Sequence, residues 1–121
     1  MALINHSNYA SLRRVLDGAY DQAATGKGRD RHVSTPGQRF EDQPILTLQR
    51  AFGPGYALGQ AGKKMEESQR MDTDAAVAEL RGAIVYLAAA IIRREEMQRE
   101  HDRAHAVQPA SAPDTSEVGH G

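Results

Sequence analysis

The sequence predicts an all-α fold, a small helical bundle of about three main helices with a long C-terminal helix. Three observations lead there. Apolar residues recur at spacings of three and four in the helical segments, the period of one helix face, and no β-branched alternation appears within 26–43. Aromatic residues make up 5% of the chain against 40% hydrophobic overall, with no Trp, so Leu, Ile, Val, Ala and Met must fill the core. At 121 residues the length suits one compact unit, expected over residues 1–105 with a flexible Pro-, Ala- and Ser-rich tail over 106–121.

In chain order, Ser7 or Asn8 is suited to cap a first helix whose apolar positions are Tyr9, Leu12, Leu16, Ala19 or Tyr20, and Ala23, ending near Thr25. Gly26, Gly28, Pro36 and Gly37 then break regular structure, and 26–43 is expected to be an ordered Gly/Arg-rich loop. Its length makes it the first place to look for function. Pro44 opens a second helix with Ile45, Leu48 and Phe52 on one face. Gly53-Pro54-Gly55 interrupts it. The pattern resumes through Leu58, Ala61 and Met65, where Gly59 and Gly62 leave space for a neighbouring helix to approach. Asp72, Thr73 and Asp74 supply turn and cap chemistry for the long helix, expected over Asp74 to His105.

On that helix Val77, Leu80, Ile84, Leu87 and Ile91 alternate spacings of three and four, and Ala76, Ala83 and Ala90 add a second line. The face is wider than two shorter helices easily cover, which predicts a homo-oligomer through this stripe. The alternative is an intramolecular core followed by the solvated, mixed-charge segment Arg93 to Arg103.

Lysine plus arginine number 15 and aspartate plus glutamate 16, so the chain lacks the basic field of a protein that coats nucleic acid. Absent cysteine excludes disulfides, thiolate metal sites and thiol nucleophiles, compatible with a cytoplasmic location. Met1 to His6 does not read as a signal peptide, and the apolar run Ala83 to Ile92 is short for a membrane span. His101 and His105 stand one turn apart as in zinc hydrolases, but Asp102 replaces the longer glutamate of that motif and no metal site is expected there.

Three clusters carry candidate chemistry. Lys27, Arg29, Arg31 and His32 follow two glycines that let backbone approach a ligand, a composition suited to phosphate, while the spacing is not that of a Walker loop. A basic surface loop is the alternative. Arg39, Phe40, Glu41 and Asp42 precede a helix start, where Asp42 is suited to cap it, or where the acids meet a base edge or sugar hydroxyl and Phe40 stacks on a ring. Glu66 and Glu67 on one helix and Glu79 on the next are placed to share a magnesium ion, or are solvated surface.

Glu66-Glu67 followed by Glu79 resembles the MazG-like all-α nucleotide pyrophosphatases, whose pattern is two or three glutamates on one helix and Glu-x-x-Asp on a later one. Here Ser68 to Arg70 supplies no third glutamate and Gly82 stands in place of the aspartate. The order loop, helix, acidic helix, long helix resembles the phage dATP/dGTP diphosphohydrolase-like proteins over Tyr20 to Glu95. Gly26 to His32, Phe40 to Ile45 and Leu58-Gly59-Gln60-Ala61 look like segments of small phage and prophage proteins, which implies a viral origin and no particular activity. With the acidic site incomplete, the leading expectation is a non-enzymatic module that captures a phosphate-bearing nucleotide, sequestering a defence signal of the host. The alternatives are a magnesium-dependent pyrophosphatase using Glu66, Glu67 and Glu79, and a structural adaptor built on the Val77 to Ile91 stripe.

Overall fold

The computed structural model describes residues 6–25 and 37–107, and all statements below concern these. They form four α-helices and no strand: α1 Ala10–Thr25, α2 Pro44–Phe52, α3 Gly55–Ser68 and α4 Thr73–Val107, with short 3-10 turns at His6–Tyr9 and Phe40–Asp42. The expected all-α bundle with a long C-terminal helix is the observed fold. α4 starts one residue earlier and ends two later than the sequence suggests.

Local chemistry explains the boundaries. Pro44 is at the first position of α2, where its missing N–H costs nothing. Gly53 ends that helix at φ +96°, a conformation side-chain-bearing residues rarely adopt, and its N–H donates to Gln49 O at 2.8 Å. Asp72 caps α4, its Oδ1 accepting from the Ala75 N–H at 3.0 Å. At the start of α2 the sequence misleads. Gln43 rather than Asp42 holds the cap position, without a side-chain cap bond; its Nε2 donates to Gln38 O, and the Asp42 carboxylate accepts from Arg39.

α4 is the spine. The other three helices each pack on it, and α1 has no other major helical partner. α3 and α4 make an antiparallel hairpin, with Tyr56 edge-on to Tyr86 at 6.1 Å between ring centroids and Lys64 bridging to Glu79 at 3.4 Å. α2 is tied to α4 by Gln49, whose Nε2 donates to Ile45 O and Ala89 O, both at 3.1 Å, while its buried Oε1 has no partner. Arg50 adds a second tie, its Nε donating to Glu96 Oε1 at 3.0 Å and its Nη2 to Glu96 Oε2 at 2.6 Å, with Arg93 also donating to Glu96.

The core consists of Ala19, Ile45, Leu46, Ala57, Ala61, Ala83, Val85, Tyr86 and Ala89. Several faces therefore differ from the expected ones. On α2 the buried line is Ile45, Leu46 and Gln49, and Phe52 is 78% exposed. On α3 it is Ala57, Ala61 and Ser68, leaving Leu58 and Met65 outside. Gly59 and Gly62 face open space rather than a neighbouring helix, and close approach occurs at the two alanines. On α1 only Ala19 is buried, with Leu12 and Leu16 exposed.

α4 contains an eighteen-residue stretch of mean hydropathy 1.8, enough by length and composition to cross a bilayer. This stretch, 75–92, is longer than the uninterrupted apolar run because it tolerates Glu79 and Arg81. A mostly buried core helix meets the same criterion; here three helices pack on α4, and 22% of the stretch is buried inside the chain.

The packing and the ion pairs make three substitutions informative. Gly59→Ala should stabilise the protein by about 0.5 to 1 kcal/mol, since a helical methyl there meets nothing. Ala61→Leu, at a fully packed contact, should cost about 1 to 3 kcal/mol; paired urea melts check both. Arg50 and Arg93 hold the Glu96 carboxyl below the usual glutamate range, chiefly through the Arg50 hydrogen bond. A depressed folded-state pKa gives stability that is full above the ordinary glutamate value and lost as pH falls through the depressed one. Glu96→Gln should therefore lose about 1 to 2 kcal/mol at neutral pH and show a flatter stability profile on acidification, read by thermal melts across the acid range.

Candidate functional site

An apolar concavity lies where α1 and the 37–43 segment meet α4. Leu16, Ala19, Tyr20 and Ala23 form one wall, Ile84, Val85, Ala88 and Ile92 the other, and Phe40 with Gln38 and Gln43 closes one end, enclosing about 660 Å³. The sequence places it there for a simple reason. Ala19 and Ala23 are small enough for α1 to lie against α4, while Leu16 and Tyr20 on the adjoining stripe rise beside the contact without being covered.

The groove is apolar with amides at one end. Phe40 is half-buried, packed against the core, and Tyr20 is exposed, so two rings border the same space. Gln43 is buried and donates from Nε2 to Gln38 O at 3.2 Å. No charged side chain lines the groove among the described residues. Such a lining accommodates a flat, largely apolar moiety with a few hydrogen-bonding edges, and any anionic part of a ligand must lie outside it.

The residues expected to bind phosphate divide accordingly. Lys27, Arg29, Arg31 and His32 fall outside the described residues. They belong to the stretch that connects Thr25, beside the groove residue Ala23, to Gly37, itself on the groove. Arg39 is committed locally. Its Nε donates to Asp42 Oδ2 at 3.1 Å and Glu41 lies 3.9 Å away, so both acids raise the Arg39 pKa, with the Asp42 hydrogen bond the main cause. The Glu41 carbonyl accepts from Arg50 Nη2 at 2.7 Å, which fastens this segment to α2. Of this cluster only Phe40 turns towards the groove; Glu41 and Asp42 face Arg39. Gln38 and Tyr20 are not conspicuous as site residues in the sequence, because a lone amide or a tyrosine in a helical stripe gives no local signal.

The acidic candidates do not assemble. Glu66 pairs with Arg70 one turn on, including Nη2 to Oε1 at 2.9 Å, and this hydrogen bond lowers the Glu66 pKa. Glu67 lies 3.9 Å from Lys63, and Glu79 is held by Lys64. Lys64 also crosses Gly82, where an added Cβ would meet its Cδ at 3.1 Å. At the place where the pyrophosphatase pattern has aspartate, a lysine stem fills the space and its ammonium neutralises the neighbouring glutamate. Among the described residues no group of three or more His, Asp or Glu is positioned to hold a metal ion. His101 and His105 lie 3.9 Å apart between ring centroids, their planes tilted by 37°, on the exposed end of α4.

No protein family, curated protein or solved structure matches this chain.

Proposed function

We propose that the protein is a non-enzymatic module that captures a phosphate-bearing nucleotide, with the base in the α1–α4 groove and the phosphate at its rim. The observation that carries this reading is the division of labour at the groove. Among the described residues its walls are apolar, two rings and two amides border it, and no charged side chain lines it, while the sequence between Thr25 and Gly37 contains Lys27, Arg29, Arg31 and His32. A nucleotide has the matching asymmetry, a planar ring with polar edges and an anionic end that arginine forks grip in two places.

Capture without turnover is favoured over hydrolysis because Glu66, Glu67 and Glu79 each face a nearby cation, and no cluster of acids suited to magnesium forms among the described residues. Retention of an intact ligand suits sequestration. Given the likeness of its segments to phage proteins, a nucleotide signal of host defence in the cytoplasm is the ligand this reading assigns.

Isothermal titration calorimetry against a panel of cyclic and linear nucleotides, followed by mass spectrometry of the recovered ligand, tests the proposal. Binding is expected, weakened at least about tenfold when Arg29 and Arg31 are both replaced by alanine, and reduced by Ile84→Glu at the groove wall. Failure of every nucleotide to bind, or recovery of a cleaved product, would sink it. Pyrophosphate release with magnesium that disappears in Glu67→Ala would instead establish the hydrolase.

A further inference from the structure

Val77, Leu80, Leu87 and Ile91 of α4 remain between 39% and 60% exposed, and only 22% of the apolar stretch of that helix is buried inside the chain. The exposed line is a sector of α4 that its own helices leave open. α1 packs along one flank, where Gln22 donates to Ala78 O at 3.0 Å and the Arg81 guanidinium crosses Gly18. α3 packs along the other, through Glu79, Gly82 and Tyr86. Between them Val77, Leu80, Ile84, Leu87 and Ile91 keep the alternating spacing of a seam that meets one further helix.

We infer that a second copy of this chain covers this sector, with the two α4 helices antiparallel about a two-fold axis near Ile84. Reversal of direction at Ile84 brings Val77 of one copy level with Ile91 of the other, and Leu80 within one residue of Leu87. Apolar residues then meet apolar residues along the whole stripe. Parallel pairing is opposed by the continuation of the same spacing, which places Arg94, Gln98, His101 and His105 on the seam. Each would face its own copy, Arg94 against Arg94, and like charges in register are unfavourable. Antiparallel pairing removes that segment from the seam and brings Arg94 level with Asp74, two exposed residues of opposite charge without an ion pair in their own chain among the described residues.

The flanks agree. In an antiparallel pair each flank of a helix meets the same flank of its partner, so both α1 helices lie on one side of the interface. Leu12, Leu16 and Tyr20, exposed in the single chain, then border a shared surface. A two-fold pair of this kind is isologous and closed, so it limits assembly to a dimer.

Sedimentation should give twice the 13.2 kDa chain mass, and Leu87→Glu should return it to one chain mass with helical circular dichroism unchanged, since Leu87 is exposed and outside the core. Ile91→Lys is the second variant should the first fail to fold. A nitroxide on Asp102→Cys, in a chain without other cysteines, should report a pair separation of about 54 Å for the antiparallel arrangement and within about 20 Å for a parallel one. Three results overturn the inference: a single-chain mass at every concentration, the short distance, or an undiminished dimer in both stripe variants. A single chain that co-sediments with phosphatidylcholine vesicles assigns the stripe to a membrane surface. Ile84 belongs to both the groove and the stripe, whereas Leu87 and Ile91 lie outside the groove lining, so nucleotide titration of Leu87→Glu and Ile91→Lys separates failure of the dimer from failure of the binding site.

Discussion

The close approach of helices through alanine governs this structure. Five of the nine core residues are alanines, at 3% exposure or less, and they allow α1, α2 and α3 to lie near the α4 backbone. Alanine brings little apolar area to such a contact compared with leucine or isoleucine. The larger side chains that would have supplied it are held outside: Leu12 and Leu16 on α1, Leu58 on α3, and Leu80, Leu87 and Ile91 on α4. A chain of this size has few other sources of burial, so much of its apolar surface is left for something other than itself.

This inversion explains which parts of the fold were legible in sequence. Helix boundaries were, because Pro44, Gly53 and Asp72 act through backbone geometry that is local and strong. Helix faces were read less well. Periodicity weights large side chains, so it pointed to Phe52, Leu58 and Met65, whereas packing selected Gln49, Ala57 and Ser68 from neighbouring positions on the same helices, with Ala61 the expected position on α3 that is buried. Gly59 and Gly62 misled for the same reason: small residues mark close contacts only when they face a partner.

The candidate site was legible in its chemistry rather than in its walls. Phe40 stood out because an aromatic among charges is locally conspicuous, and it does border the groove. The walls come from residues more than sixty positions apart in the chain, such as Tyr20 with Ile84 and Ala88, and no local pattern reports that meeting. The acids near Glu66 were equally visible, yet their meaning depended on Lys63, Lys64 and Arg70 beside them. A carboxylate one turn from a cation on a helix is usually a surface ion pair, and distances rather than residue types settle the matter here.

The position of α4 as the shared partner has a consequence for how the polypeptide emerges from the ribosome. α4 is the last of the four helices to be made, and α1 finds its main contact only after some sixty further residues have been added. Until 83–89 are available, α1, α2 and α3 have no common surface on which to dock, and helices of 16, 9 and 14 residues are too short to persist alone in water. Nascent chains of this protein thus carry exposed leucines through most of their synthesis and acquire structure in one late step.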